Sequence, residues 1–365
     1  MRQTPSARPP RYTRRAFLDR GVRVGLGIGG GLALGSLLEA CATGSGNTAP
    51  TPPPGATVIR ALLFDQVGYD PNVLQALANK FRSLHNDKVF VSIETAHYRE
   101  LYESILAAGL SKPAPYDVVA LDQVWVPEFA NRKQLLSLKE QIPDDVRSDL
   151  MPSLLDAFSY AGTNWAMPHV LNVQSLYYNK SQLRGAGFSA PPKTLEDWYQ
   201  QMTALRATVT PYTDSWSQDE GLVSDFVRIT AEFGGDLFDA AGKPAASVSG
   251  FLGLGVLANS AHTDLAVAWV RYLTSPEVAS QQTGQLPIWT SLQKSAEMRK
   301  TNPQIDVFLS NLANARPRPK LVHYVEASAV LQRHLHDLVL GTVTPSRAMA
   351  DAQAELLVLQ ARFAS

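Results

Sequence analysis

Two α/β lobes joined by crossing segments are predicted from three features of the sequence. Residues 57–121 alternate strand, helix, strand, helix, strand, the order of an open sheet with right-handed crossovers. Tyr160 to Lys180, YAGTNWAMPHVLNVQSLYYNK, places turn chemistry at Ala161-Gly162-Thr163-Asn164, then Pro168, then an apolar run. Residues 194–233 and 326–363 add further helical patterns beyond that crossing. With 365 residues, 45% of them hydrophobic and 18% charged, the chain is long enough for two domains that each bury a core, and its composition excludes a fibrous or disordered class.

Residues 1–41 hold seven Arg against Asp19 and Glu39, a net +5, which leaves 26 basic and 31 acidic residues beyond them, a net −5. An acidic remainder offers no phosphate-binding face, so nucleic acid is not the expected partner. Cys41 is the single cysteine, which rules out an intramolecular disulfide and a thiolate metal cluster. Thr13-Arg14-Arg15-Ala16-Phe17-Leu18 resembles the twin-arginine export motif, with Asp19 where Lys is often found. The apolar run Val24 to Leu38 is 15 residues long, short of the roughly 20 that span a bilayer and suited to a signal core. Leu38-Glu39-Ala40-Cys41 resembles a lipobox, with Glu39 the departure. The resemblance implies cleavage before Cys41 and lipid on its sulfur; an uncleaved N-terminal anchor is the alternative, and both put the protein outside the cytoplasmic membrane. Gly25-x-Gly27-x-x-Gly30 matches a dinucleotide fingerprint, but no strand precedes it and no amphipathic helix follows. Residues 42–56, rich in Pro, Gly, Ser and Thr, read as a tether.

The folded chain begins with Thr57 to Phe64, read as a central parallel strand. Asp70 is placed to cap a helix with Pro71 at its first position and Val73, Leu74, Leu77, Ala78, Phe81 and Leu84 on one face. Lys88 to Glu94 is the second strand, Tyr98 to Gly109 a helix, and Tyr116 to Leu121 the third strand. Pro168 has no N–H and fixes its own φ, so the chain there reads as an extended crossover, with a new strand from Val170 to Tyr178 ending at the Asn179-Lys180 turn. Thr194 and Asp197 have capping-box-like spacing. Residues 194–207 and 219–233 read as helices, Gly234 to Asp239 as a short strand, Asp264 to Thr274 as a helix followed by one starting at Ser275-Pro276-Glu277, and 326–340 and 345–363 as two closing helices.

Several of these segments resemble extracellular solute-binding proteins of sugar ABC importers, the maltose-binding-protein-like family. They are Gly162-x-x-Trp165-x-Met167-Pro168 with Asn172 and Leu176-Tyr177-Tyr178-Asn179-Lys180; Asp117 to Ala130, DVVALDQVWVPEFA; Pro191-Pro192-Lys193-Thr194; Phe251 to Ala279; Leu286 to Leu292; and Ser346 to Leu356. The resemblance covers most of 57–363 and implies a two-lobe periplasmic-binding-protein-like (type II) fold, with lobe 1 at 57–168 and 250–289 and lobe 2 at 169–249 and 290–365. One block is missing: Pro244 to Gly250 passes straight into the return segment, where members usually carry further helices and a strand pair. A shortened second lobe is expected, either in a working variant with a shallower wall or in a decayed gene product.

Sugar recognition needs flat apolar faces for C–H surfaces and planar polar groups for hydroxyls. Ligands of open sheets collect outside the carboxyl ends of strands, which singles out Asp65, Gln66 and Tyr69 after the first strand and Asp122 and Trp125 after the third. The resemblance adds Asn172 at the crossing. Trp216 and Glu220 stand at the rim of the second lobe, and Trp289 at the return crossing. Trp125 and Trp289 read equally well as stacking platforms or core residues, and Asp65 as a turn cap. For catalysis there is no H-E-x-x-H, G-x-S-x-G or P-loop. His334-x-His336 would not share a helix face, and Asp144-Asp145 reads as a solvated turn. A glycosidase pair from Asp122 and Glu220 stays open on the sequence. No metal or cofactor is expected. The implied protein is a lipid-anchored monomer that captures a sugar or polyol and delivers it to ABC permease subunits; a surface receptor that has lost transport binding, or a glycan-acting enzyme, are the alternatives.

Overall fold

A parallel trio of strands forms where the alternation of residues 57–121 predicts it. In the computed structural model, which describes residues 51–65, 70–233, 247–282 and 285–363, β1 (Thr57–Phe64) pairs parallel with β2 (Val89–Ala96) and with β3 (Val118–Asp122). The connections are α1 (Pro71–Leu84) and α2 (Tyr98–Ala108). α1 starts where Asp70 accepts the Asn72 N–H at 2.8 Å, and it buries Leu74, Leu77, Ala78 and Phe81, the i, i+3, i+4, i+7 stripe of a helix packed on a sheet. Fully burying a side chain such as Phe81 contributes about 1.5–3 kcal/mol.

The sheet order is β2-β1-β3-β7-β6, where β6 is Met167–Val173 and β7 is Ser247–Val256, with β8 (Ala315–Pro317) also on β7. β7 was not recognised in the sequence, yet it lies in the middle of the sheet, antiparallel to both β3 and β6. Its alternating glycines hide it from any propensity reading and are what allow it there. A Cβ on Gly253 would lie 2.7 Å from a Phe158 ring carbon, and one on Gly255 would lie 2.6 Å from Leu121 Cδ1.

The reading around Pro168 needs correction. Pro168 is inside β6, not in a crossover before it, because β6 is the edge strand and its register shifts between Pro168 and Val170. The strand expected to run to Tyr178 ends at Val173, and residues 174–179 carry exposed Leu176, Tyr177 and Tyr178. A small hairpin of β4 (Ser159–Tyr160) and β5 (Thr163–Asn164) precedes β6. Asp144 and Asp145 open a short helix, Asp144–Asp149, with both residues exposed.

After β6 come α3 (Lys180–Gly185), α4 (Leu195–Leu205) and α5 (Glu220–Glu232). Asp197 completes a capping box with Thr194: its N–H donates to Thr194 Oγ1 at 3.0 Å, while Oδ2 accepts the Thr194 N–H at 3.2 Å. Past β7 the chain forms α6 (Thr263–Leu273) and, after β8, α7 (Tyr324–Val339) and α8 (Pro345–Phe363). The main core gathers both faces of the sheet, with Phe81 of α1 edge-on to Trp269 of α6 at 5.1 Å. A smaller core joins Leu222 and Val223 of α5 to Leu331 and Leu335 of α7 and Ala352 of α8. Residues 51–365 group as one unit by their contacts. Among the described residues, no helix is long and apolar enough to cross a membrane. The export motif Arg14-Arg15, Cys41, Gln66, Tyr69 and the strand expected at 234–239 lie outside the described residues.

Candidate functional site

Four segments distant in sequence bring polar side chains together at the carboxyl end of β3. Asp122, its last residue, caps the turn that follows by accepting the Val124 N–H at 3.3 Å. The same carboxylate accepts the Tyr98 hydroxyl from the start of α2 at 2.8 Å, and both Nη2 bonds of Arg318, at 2.7 and 2.8 Å. Arg318 follows β8, and its Nη1 donates to Glu220 Oε1 at 2.8 Å. Glu220 opens α5 and also accepts the Tyr324 hydroxyl at 2.6 Å and Ser328 Oγ at 2.5 Å, both from α7. The side chains of Arg318 and Asp122 are 5% and 4% exposed, that of Glu220 15%.

Burial by itself would lower the affinity of Arg318 for its proton, but Asp122, Tyr324 and Glu220 outweigh it and hold the guanidinium charged. Burial, reinforced by Asp122, pushes the Tyr98 hydroxyl well above the usual tyrosine range; burial with Glu220 does the same to Tyr324. Both phenols therefore remain donors. The acceptors of Asp122 and Glu220 thus already have donors, while Arg318 Nε is buried without a partner.

Asp122 and Glu220 were expected to face a ligand, and the structure commits both to Arg318, which the sequence reading missed. The only local signal was Arg-Pro-Arg-Pro-Lys at 316–320, in which two prolines bias the backbone on either side of Arg318 toward an extended path. A glycosidase pair is also disfavoured, because carboxylates sharing one guanidinium are not an acid and a base facing each other across a cleft.

Trp125 and Trp289 are core residues. Trp125 is 2% exposed and packs against the rings of Tyr98 and Tyr102 at 4.7 and 5.5 Å. Trp289 is 4% exposed and donates its indole N–H to the Thr274 carbonyl at 3.0 Å. Neither presents a face on which a sugar could stack. Asp65 is exposed at the end of β1 with His97 Nδ1 3.4 Å from Oδ2. Asn172 is exposed on β6, beside Gly250 of β7; a Cβ built on Gly250 would lie 3.9 Å from that of Asn172 and 3.6 Å from Arg318 Nη2. Gly250 thus leaves room between the strand crossing and the Arg318 cluster.

Trp216 is 39% exposed. Its indole N–H donates to Asp225 Oδ2 at 2.9 Å, while Gln174 Nε2, one residue past β6, donates to Oδ1 at 2.7 Å. Burial raises the Asp225 carboxyl above its ordinary range, opposed by the Gln174 hydrogen bond and by Arg228 at 3.7 Å. Trp216 is therefore held in a fixed orientation with part of its ring open. Among the described residues, no three His, Cys, Asp or Glu side chains converge as a metal site.

Comparison with known proteins decides the family. The family model for bacterial extracellular solute-binding proteins matches residues 69–252, half of the chain. The chain belongs to that family. As a solute-binding protein it has the two-lobe α/β architecture of maltose-bound MalE3 from T. maritima, with a TM-score of 0.72 at 21% identity over 83% of this chain and 100% of that one. A probable ABC transporter-binding protein of Deinococcus radiodurans is 30% identical over 151 residues, 39% of this chain and 35% of that protein. A maltotriose-binding protein of Pyrococcus abyssi is 24% identical over 172 residues, 46% and 34% of the two chains. The chain thus spans about a third of the length of the curated relatives it matches. The family is one of binders that work outside the cytoplasm, not of enzymes.

Proposed function

We propose that this solute-binding protein is the substrate-capturing component of an ABC importer, held at the membrane by lipid on Cys41. It takes a sugar or related polyol between a first lobe of residues 57–168 and 250–289 and a second of 169–249 and 290–365, and delivers it, as a monomer, to permease subunits. The observation that carries this reading is the convergence of the carboxyl ends of β1 and β3, the β6–β7 crossing and the start of α5 on one polar region. Asp65, Asn172 and the half-open ring of Trp216 supply the polar groups and apolar face that a polyol needs, with Gln66 and Tyr69 as further candidates after β1. The sugar ligands named for the Pyrococcus and T. maritima proteins support the same ligand class. Closure over the ligand would follow only from contacts made better in the closed state than in the open one.

The Arg318 cluster favours a second reading, a surface-anchored receptor of this fold that no longer supports transport. Its two carboxylates are already satisfied from within the chain, and a second lobe shortened as the resemblance implies would offer less wall. Thermal unfolding against mono- and oligosaccharides, polyols and amino acids separates the two. A ligand at a hundred times its dissociation constant should add about 2.7 kcal/mol of stability. A cooperative transition that no compound in the panel shifts would sink the importer reading and leave the receptor.

A further inference from the structure

We propose that the second lobe carries a site of its own for a neutral saccharide, in the pocket formed by residues 176–212. This pocket has a cavity volume of ≈ 100 Å³ and opens to solvent at its mouth. Every lining residue comes from the stretch that holds α3, α4 and the segment after α4. Occupying it therefore needs no closure of one lobe on another, and the proposal does not rest on the inter-lobe reading.

Three features of the lining point to the ligand class. Tyr178, Trp198 and Tyr212 contribute aromatic faces, and Trp198 stands edge-on to Tyr212 with centroids 5.2 Å apart at 88°. No Asp, Glu, Lys, Arg or His lines the pocket, so an ionic ligand would lose its hydration without gaining a counter-charge. Gln201 is 5% exposed; its Nε2 donates to the Ala190 carbonyl at 3.1 Å, while its Oε1 is buried with no hydrogen-bond partner. A buried acceptor left in this state is costly, and a hydroxyl donor brought to it recovers the loss. Aromatic faces for C–H surface, an uncharged lining and an acceptor awaiting a donor together describe a pyranose ring. The Arg318 cluster is the opposite case: it is charged and both of its carboxylates are bonded from within the chain, and its own unpartnered atom, Arg318 Nε, is a donor.

The test is fluorine NMR on the full-length protein labelled with 5-fluorotryptophan, with the Trp198 line assigned by its loss in Trp198→Phe. Maltose and methyl α-glucopyranoside are the probes. The expected result is a saturable shift of the Trp198 line at millimolar concentration, weakened about tenfold, or about 1.4 kcal/mol, by Gln201→Met, which keeps side-chain volume but removes the acceptor together with the bond to Ala190. Tyr178→Ala, at a position 48% exposed, gives a second test that does not depend on core packing and should weaken binding as well. The proposal is overturned if neither probe moves the Trp198 line, or if the line moves with equal affinity in both variants. Small-angle scattering on the same samples keeps the two readings apart. Compaction without a Trp198 shift supports closure between lobes and refutes this pocket, whereas a Trp198 shift without compaction supports the pocket and counts against closure.

Discussion

Replacing Arg318 by Met should be among the most damaging single substitutions in this protein. The guanidinium donates two bonds to Asp122 and one to Glu220, with side-chain exposures of 5% for Arg318 and 4% for Asp122. Each bond to a charged group is worth about 1.5–3 kcal/mol in isolation, but the three are not additive. Removing one partner of a buried ion pair costs about 3–5 kcal/mol, because the remaining charges stay buried without compensation. Against a whole-domain stability of about 5–15 kcal/mol, that is a fifth at the least and most of it for a marginal domain. The measurement is equilibrium denaturation in urea, comparing Arg318→Met with the triple variant Arg318→Met, Asp122→Asn, Glu220→Gln. Removing all three charges leaves neutral polar groups that Tyr98, Tyr324 and Ser328 can still donate to, so the triple variant should recover at least half of the loss. If Arg318→Met stays within about 1 kcal/mol of the parent, or the triple variant is no better than the single one, the cluster does not hold these segments together in the way argued.

His169 makes stability pH-dependent. Burial in β6 lowers its pKa to about 4, against an unfolded value of about 6.5. Between those values the unfolded chain binds more protons than the folded one. Stability should therefore fall as pH falls from 6.5 to 4, by about 3 kcal/mol in total, and a His169→Gln variant should lose that part of the slope; parallel curves for the two proteins would contradict it. Gly253→Ala should destabilise by about 1–3 kcal/mol through overpacking, since its Cβ would meet Phe158 at 2.7 Å, whereas Gly250→Ala should be tolerated with its nearest contact at 3.6 Å. Equal unfolding midpoints for the two alanine variants would remove the packing argument for β7. Replacing Arg14 and Arg15 by Lys should abolish export if the twin-arginine motif is read, and Cys41→Ser should move the protein from the membrane to the soluble fraction. Retention of the Cys41→Ser form at the membrane would favour an uncleaved anchor instead.

Elements whose signal is local were legible in the sequence. β1 was placed at Thr57–Phe64 with its bounds intact, because a run of apolar β-formers between turn residues allows few alternatives. α1 and α4 announced themselves through Asp70-Pro71 and the Thr194/Asp197 box, each a side chain satisfying N–H groups that a helix start leaves open. The family too was legible, since its segments occur in order and each is short enough to be carried by adjacent residues.

What the sequence could not give is anything that depends on two segments meeting. Pro168 reads as a break by its own chemistry, and only its place on the edge strand makes it tolerable within β6. The glycines of β7 read as weak strand formers, and only the approach of Phe158 and Leu121 turns them into a requirement. Asp122 and Glu220 looked available because each was judged alone; Arg318, 196 residues from Asp122 along the chain, takes both. A side chain's type sets what it can bond, and tertiary structure decides whether that capacity is left for a ligand or spent within the fold. At the ends of β3 and α5 it is spent on Arg318, and at Gln201 one acceptor is left over.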